Sequence, residues 1–346
     1  MPNNRRLVLR FLIAGAVLLL LLLLVIPRLL SLHPSGISVT GSMSVATIAS
    51  TGATGTPAST VINNSALPDF QHIFLIVMEN NSYSNLIGNA DAPWINSAAH
   101  NYIVATNYYG VGHPSEPDYI ALTSGSVQGV TSDADVTLNA PNIVDQLEKH
   151  GRSWTAYMQG LFSAGNTNKL ASTAGDYARK HNPFVSYADI QQNPARLARI
   201  VDFSQFASNL AGNAMPAFVW ITPDLCHDMH GAGACSDTRG LIQVGDAFLR
   251  ATVNQIMHSS AWTGHSAIFI TWDESEADDN SGCCGANPGG GHILTLIIPY
   301  ATSPPQTLTR PYNHYSLLAT IEDAWSLGCL ATTCDVGSVR PMAGVF

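Results

Sequence analysis

The stretch Gln71–Met78 (QHIFLIVM), followed directly by Glu79 and Asn80, decides the fold that this sequence predicts. Its apolar, β-branched run is typical of a strand that is buried on both faces. Pro216–Thr222 (PAFVWIT) and Ser266–Trp272 (SAIFITW) repeat the pattern further along the chain. Strands of this kind pack in a parallel sheet that helices cover on both sides.

Other regular elements fit the same plan. Two more buried strands are predicted at Ser153–Met158 and Ile293–Ile298, and three helices at Pro141–His150, Gly245–His258 and His314–Trp325. The sequence therefore predicts an α/β domain in which helices sandwich a mostly parallel sheet.

Composition excludes two classes of protein. The 346 residues include 15 Lys and Arg against 24 Asp and Glu, a formal net charge of −9. This balance argues against nucleic-acid binding, because phosphate contacts need clustered basic side chains. Hydrophobic residues make up 46% of the sequence, which is too many for a disordered chain.

The N-terminal region predicts a membrane anchor. Residues 7–30 are apolar apart from two arginines and are long enough to span a bilayer. Arg5, Arg6 and Arg10 lie at the start of this run and only Arg28 near its end, which favours a cytoplasmic N-terminus. We expect a single-pass protein of the cell membrane with an extracytoplasmic domain. The alternative is a cleaved signal peptide, which would make the protein secreted.

Four regions follow from these patterns. Residues 1–6 form a short cytoplasmic tail and residues 7–30 the transmembrane signal anchor. Residues 31–67 form a linker rich in Ser, Thr, Gly and Ala, which cannot bury enough apolar area to fold. Residues 68–346 form the folded domain.

The cysteines fit an exported domain. The pairs Cys226–Cys235 and Cys329–Cys334 each flank a short loop and are predicted to form local disulfides. For the adjacent residues Cys283–Cys284, a bond between the two and pairing elsewhere both stay open.

Polar residues gather where three of the strands end. Glu79 and Asn80 follow the first strand, the His227–His230 cluster follows the second, and Asp273 and Glu274 follow the third. Because ligands of open α/β sheets bind at the carboxyl ends of the strands, we expect one common site there. Carboxylate and amide oxygens suit one divalent cation, and Ca, Zn, Fe, Mg and Mn all stay open.

A hydroxyl for such a site comes from Ser115 in the segment His113–Pro117 (HPSEP), whose two prolines predict a stiff turn. A serine beside a metal ion is activated as a nucleophile. Histidines can bind phosphate oxygens or protonate a leaving group. These residues point to metal-assisted phosphoryl transfer through Ser115, with His113 as a candidate catalytic neighbour.

Six segments, in order, resemble motifs of the bacterial phosphoesterase family. That family includes metal-dependent acid phosphatases and phosphatidylcholine-type phospholipases C with an alkaline-phosphatase-like core. The resemblance extends over nearly all of the folded domain. The segments are Glu79–Tyr83, Pro114–Tyr119, Lys180–Phe184, Asp228–His230, Thr271–Glu274 and Tyr312–Asp323.

The resemblance implies a metal site and a nucleophile. Glu79, Asn80, Asp273 and Glu274 would bind one divalent metal ion, and the Ser115 hydroxyl would complete its ligands. Ser115 would attack phosphorus and give a phosphoserine that water then hydrolyses.

The resemblance also assigns residues to the substrate. His181 and His230 would line the phosphate pocket, one of them as the acid to the leaving oxygen, and Asn80 and His292 would add substrate contacts. The sequence departs from the family pattern at Asp118, where the family usually has Asn. A glycine also precedes His292, where phospholipase-like members have Asp.

These features predict a phosphoric ester hydrolase most similar to acid phosphatases, with a phosphate ester as its substrate. Phospholipase C activity on phosphodiester lipids is the alternative within the same chemistry. A metal-free serine hydrolase is disfavoured because the sequence has no G-x-S-x-G elbow. A noncatalytic surface module is disfavoured by the intact motifs.

Overall fold

The computed structural model describes residues 67–346, except for 163–167, 172, 174, 213–214, 233–234, 302 and 345. The predicted tail and anchor lie outside the described residues, as does the predicted linker up to residue 66. None of the helices in the described part is long and apolar enough to cross a bilayer.

A mixed sheet forms the centre of the domain. Its strands lie in the order β4-β3-β5-β1-β6-β7-β2-β8, and β9 pairs with β2. All six side chains of β1 are buried, and because alternate side chains of a strand point to opposite faces, both faces of the sheet are covered. The strands are β1 (Ile73–Met78), β2 (Ile103–Tyr109), β3 (Trp154–Met158), β4 (Ile200–Asp202), β5 (Phe218–Thr222), β6 (Ala267–Trp272), β7 (His292–Pro299), β8 (Gln306–Leu308) and β9 (Tyr312–Asn313).

The predicted α/β class with a mostly parallel sheet is confirmed. β1 pairs in parallel with β5 on one side and with β6 on the other. β7 is antiparallel to both of its neighbours, β6 and β2. The segment between β6 and β7 explains this reversal, because it contains no described helix that could form a parallel crossover.

Helices flank the sheet, and three pairs of them pack together: Pro93–Asn101 with Thr238–Met257, Ser115–Ser124 with His314–Ala324, and Ala188–Gln191 with Pro194–Leu197. Short 3-10 turns lie at Arg179–His181, Pro183–Ser186, Phe203–Gln205 and Ala331–Cys334. The described α-helices are α1 (Tyr83–Leu86), α2 (Pro93–Asn101), α3 (Ser115–Ser124), α4 (Ile143–Lys149), α5 (Ala188–Gln191), α6 (Pro194–Leu197), α7 (Phe206–Ala211), α8 (Thr238–Met257) and α9 (His314–Ala324).

Packing explains one difference from the predicted elements. Helix α8 begins at Thr238, earlier than the predicted start at Gly245. A Cβ atom at Gly245 would lie 2.5 Å from side-chain atoms of Met229. The glycine therefore sits inside the helix because Met229 packs against its backbone, and it does not mark a helix end.

The stiff turn predicted around Ser115 is wrong. Ser115 is the first residue of α3, and Pro114 is its N-cap. Pro117 lies in the first turn of the helix, where a missing backbone N–H breaks no helical hydrogen bond. The two prolines thus start a helix, and Ser115 lies at its positive N-terminal end.

Three disulfides are formed. Cys226–Cys235 and Cys329–Cys334 are bonded as predicted. Cys283–Cys284 are bonded to each other, which decides between the two alternatives that the sequence leaves open.

Candidate active site

Three parallel strands bring buried acids to one edge of the sheet. Glu79 follows β1, Asp228 lies in the loop after β5, and Asp273 follows β6; all three side chains are fully buried. The backbone N–H of Glu79 donates to the carbonyl of Asp228 at 2.9 Å. The backbone N–H of Asn80 donates to Oδ1 of Asp273 at 2.8 Å. The pairing of β1 with both neighbours therefore places these acids together.

Ser115 lies between two of the predicted carboxylates. Its Oγ donates toward Oε2 of Glu79 and toward Oε1 of Glu274, at 3.1 Å in each case. The side chain is 1% exposed. The structure thus brings the predicted nucleophile into contact with predicted metal ligands from two different strands.

Burial and mutual charge repulsion raise the pKa values of these acids. Burial raises the pKa of Glu79 well above its ordinary value, and the charges of Asp273 and Asp228 raise it further. Burial and the charge of Glu274 raise the pKa of Asp273 to about 6. Oδ2 of Asp273 is buried and has no hydrogen-bond partner among the described residues. Buried carboxylates need compensating charge, and the chemistry of these oxygen donors suits a divalent cation.

His181 lies beneath the acids. Its Nε2 is 3.1 Å from Oε1 of Glu79 and its Nδ1 is 3.2 Å from Oδ2 of Asp228, although neither forms a well-aligned hydrogen bond within the described residues. The ring stacks on Tyr119 at 5.3 Å between centroids. Burial lowers the pKa of His181 well below its ordinary value, which favours the neutral ring. This placement suits a residue that positions Glu79 and Asp228.

His230 lies nearer the solvent. Its Nδ1 donates to the carbonyl of Gly231 at 2.9 Å, which leaves Nε2 with no hydrogen-bond partner in the described part of the chain. Its backbone N–H donates to Oδ1 of Asp228 at 2.7 Å, and its ring lies 5.7 Å from that of His181. Of the two histidines predicted to act on the substrate, His230 has the ring nitrogen that is open to it.

His113 contacts Glu274 instead of Ser115. Its Nδ1 contacts Oε2 of Glu274, and its Nε2 lies 3.0 Å from the carbonyl of Asp279. The hydrogen bond to Glu274 raises the pKa of His113 to about 9. The ring is therefore an imidazolium that donates from both nitrogens, and it orients Glu274 without being free to act as a base.

Asn80 has a backbone role in the site. Its φ of 50° lies in the left-handed region, which asparagine tolerates better than most residues. This conformation accompanies the donation of its N–H to Asp273. Metal or substrate binding by its half-buried side chain stays a prediction.

Among the described residues, no contact joins His292 to Ser115 or to the acids around it. Its Nε2 lies 3.0 Å from the carbonyl of Thr106, and its ring stacks on Tyr83 with 4.7 Å between centroids. Since both contacts hold the ring against β2 and α1, they do not support the predicted role in substrate binding.

Three residues at the site have no role in the predicted set: Asp228, Tyr119 and Lys180. Tyr119 donates from its hydroxyl to Oε1 of Glu79 at 2.5 Å. It lies four residues after Ser115, on the same face of α3, and recognition of that helix would have found it. Lys180 lies in the motif segment beside His181, and its Nζ donates to Oγ of Ser115 at 3.4 Å.

Asp118, the departure from the family pattern, supports the segment before Ser115. Its Oδ1 accepts the N–H groups of Val111 at 2.5 Å and Gly112 at 3.2 Å. His314 lies 3.3 Å from the same oxygen and donates from Nε2 to the carbonyl of Asp273 at 2.6 Å. Burial lowers the pKa of His314 to about 4, so it is neutral. Asp118 and His314 thus hold two backbone segments of the site: residues 111–112, which precede Ser115, and Asp273.

The profile of the Phosphoesterase family matches residues 89–328. The chain belongs to this family. The matched part includes Ser115, His181, His230, Asp273 and Glu274, and it confirms the resemblance that the six motifs indicate. The segment Glu79–Tyr83 precedes the match, so its assignment to the site rests on the contacts of Glu79.

Two curated relatives are phosphatases. This phosphoesterase is 32% identical over 265 residues to the phosphatidylinositol-3-phosphatase of Mycobacterium tuberculosis, covering 76% of this chain and 79% of that protein. It is 29% identical over 281 residues to the probable acid phosphatase of Kluyveromyces lactis, covering 80% of this chain and 63% of that protein. The chain thus spans less than two thirds of the length of the second relative.

A solved structure shares the fold of this phosphoesterase. The phosphonate monoester hydrolase SpPMH from Silicibacter pomeroyi superposes with a TM-score of 0.51 at 14% identity, covering 79% of this chain and 76% of that one. At this identity the likeness concerns the fold alone.

Proposed function

We propose that this phosphoesterase hydrolyses phosphate monoesters, as acid phosphatases do, by attack of Ser115 on phosphorus. The observation that carries the proposal is the position of the Ser115 hydroxyl. It lies 3.1 Å from carboxylates of Glu79 and Glu274, at the N-terminal end of a helix and at the carboxyl edge of the sheet. Acid phosphatases among the relatives support the same reaction class.

One divalent cation fits the proposed site. Glu79, Asp273, Glu274 and the Ser115 hydroxyl would hold it, and the side chain of Asn80 is the further predicted ligand. When bound, the cation would neutralise the acids and stabilise charge on the phosphoryl group. Oδ2 of Asp273, which lacks a hydrogen-bond partner among the described residues, supports this assignment. Carboxylate ligands leave the choice among Ca, Zn, Fe, Mg and Mn open.

The residues of the chain suit a two-step reaction. In the first step the bond from Ser115 Oγ to phosphorus forms, the bond to the leaving oxygen breaks, and the serine proton passes to Glu79 or Glu274. Protonated His230 gives its Nε2 proton to the leaving oxygen. In the second step water attacks the phosphoserine and gives a proton to His230, while the bond from Ser115 Oγ to phosphorus breaks. The carboxyl group returns its proton to Ser115 Oγ, which restores the hydroxyl as phosphate leaves. His181, Tyr119 and His113 hold the carboxylates in place throughout.

A lipid phosphomonoester is a second substrate class. The relative named as a phosphatidylinositol-3-phosphatase matches this chain over 79% of its own length and favours it. Phospholipase C activity on a diester lipid is the competing outcome, and an assay that compares the two ester types separates them.

The test compares Ser115→Ala with the exposed control Ser132→Ala in the full-length chain. With added divalent metal, p-nitrophenyl phosphate hydrolysis should fall by about 10³-fold or more in Ser115→Ala and stay unchanged in the control. A chelator should abolish activity in the parent protein. Activity that survives both the chelator and Ser115→Ala would refute the mechanism, and faster hydrolysis of p-nitrophenylphosphorylcholine would favour a phospholipase C.

The location of the domain is also a proposal. Three disulfides support an extracytoplasmic domain, because such bonds persist in oxidising compartments. Residues 7–30 would tether it to the cell membrane. Protease added to intact cells should then digest the domain, and full protection of the domain would contradict this location.

A further inference from the structure

Among the described residues, one lysine contacts the nucleophile. Lys180 donates from Nζ to Oγ of Ser115 at 3.4 Å and to Oδ2 of Asp133 at 2.8 Å. No other Lys or Arg in the described ranges has a hydrogen bond to Ser115. The side chain of Lys180 is 18% exposed. Its ammonium group therefore lies between the buried acids and the solvent, where an anionic substrate would enter.

The backbone around Lys180 is anchored on both sides. Arg179 donates to the carbonyls of Val136 at 3.2 Å and Val185 at 3.1 Å, and is 4% exposed. His181, on the other side, is packed against Glu79. Because the residues before and after Lys180 are both buried and held by contacts, the backbone of Lys180 has little freedom to move away from the site.

Asp133 links the ammonium group of Lys180 to helix α3. Besides Lys180, it accepts the backbone N–H of Glu116 at 3.1 Å. Glu116 directly follows Ser115 in the first turn of α3. The carboxylate of Asp133 thus ties the ammonium group of Lys180 to the helix end that carries the nucleophile.

The charge of the substrate gives this cation a specific consequence. A phosphomonoester carries nearly two negative charges near pH 7, whereas a phosphodiester carries one. Since Coulomb energy scales with the product of the charges, a fixed ammonium group stabilises the monoester more than the diester. The surrounding acids also repel a dianion more strongly than a monoanion. Binding of the monoester therefore depends more on Lys180 than binding of the diester does.

We propose that Lys180 binds the non-bridging phosphoryl oxygens and makes this site selective for phosphomonoesters over phosphodiesters. Asp133 is a positioning residue that holds the ammonium group beside Ser115. This inference rests on the proposed function, and it adds the residue that decides between its phosphatase and phospholipase alternatives.

The kinetic test uses Lys180→Met, which keeps the length of the side chain, in the full-length protein with added divalent metal. The kcat/KM for p-nitrophenyl phosphate should fall about 10- to 100-fold, and that for bis-p-nitrophenyl phosphate should fall about threefold or less. Lys180→Arg should retain part of the parent's monoester-to-diester ratio of kcat/KM. Asp133→Asn should lower that ratio less than Lys180→Met does. The exposed control Lys149→Met should leave both rates unchanged.

A binding test gives a readout that does not depend on turnover. At pH 8, calorimetry on the full-length protein with added divalent metal should show that Lys180→Met weakens binding of inorganic phosphate about 10-fold and leaves dimethyl phosphate unchanged. Equal losses for both ligands, or an unchanged monoester-to-diester ratio, would overturn the inference. If the parent protein hydrolyses neither ester, the proposed function fails, and the binding test alone decides the role of Lys180.

Discussion

At the residue scale, a buried acid on α9 forms an acid–amide pair with a glutamine on α4. Glu322 accepts from Nε2 of Gln146 at 2.9 Å through Oε1 and is 2% exposed. Its other oxygen, Oε2, and Oε1 of Gln146 are both buried without a well-formed hydrogen bond among the described residues. A proton on Glu322 would remove the negative charge that its burial disfavours. Burial accordingly raises the pKa of Glu322 to about 7.

This pair predicts a pH-dependent contribution to stability. An acid with a raised folded-state pKa stabilises the fold fully below its unfolded value of 4.5, and the contribution is lost as pH rises through about 7. Glu322→Gln keeps a neutral amide partner for Gln146. Its free energy of unfolding should exceed that of the parent by up to about 3 kcal/mol at pH 8 and match it at pH 4.5.

Urea unfolding of both proteins at the two pH values checks this expectation. Glu148→Gln, at a half-exposed surface acid, is the control and should show no comparable gain. A Glu322→Gln protein that is less stable than the parent at pH 8 would mean that the acid is ionised and well paired there.

At the element scale, glycines let the segment between β6 and β7 approach the chain before α3. The N–H of Gly290 donates to the carbonyl of Gly110 at 3.0 Å, and the N–H of Gly110 donates to the carbonyl of Gly291 at 3.0 Å. A Cβ atom at Gly290 would lie 2.3 Å from the carbonyl oxygen of Gly112. This close approach carries Asp279 to His113, and so helps to orient Glu274.

Gly290→Ala should therefore affect both stability and activity. The added methyl group must push two backbone segments apart, which should cost about 1–3 kcal/mol of unfolding free energy. Because His113 would shift with them, kcat should fall as well. Gly112→Ala is the matched control, since a Cβ atom there meets nothing within 4 Å. Thermal unfolding and p-nitrophenyl phosphate assays should separate the variants, and equal behaviour would contradict this account.

The same elements explain what the sequence could reveal about the site. Glu79, Asp273 and Glu274 directly follow buried strands, and parallel pairing alone brings such residues together. The positions of Tyr119 and Lys180 in the site could not be predicted in this way. They depend on how helix α3 packs against the 3-10 turn that carries Lys180. His292 begins a strand near the site, but side chains of a strand alternate between faces, and its ring packs on Tyr83.

At the scale of the whole molecule, the sequence patterns predicted the layers of the domain better than its connections. The buried runs of β1, β5 and β6 gave the parallel centre of the sheet. Strand β2 (IVATNYY) was missed because polar residues interrupt its apolar pattern. The direction of β7 depends on the segment that precedes it, and the composition of the strand itself carries no such information.

Through the proposed cation site, we expect the acids gathered at one edge of the sheet to make the stability of the domain depend on pH and metal together. Burial raises the pKa values of Glu79 and Asp228, and that of Asp273 to about 6. Without metal, these groups stabilise the fold below their unfolded pKa values near 4, and that contribution is lost as pH rises through the raised values. The proposed cation would reverse the effect when bound, because it would favour the ionised acids.

The melting temperature of the chelated protein should therefore fall between pH 5 and pH 8, and added divalent metal should raise it more at pH 8 than at pH 5. Asp273→Asn should lose most of the metal-induced rise, whereas Asp278→Asn, at an exposed acid of the same segment, should keep it. Differential scanning calorimetry across this pH range measures both effects. A metal-induced rise of equal size at both pH values, or one that persists in Asp273→Asn, would place the cation away from Ser115.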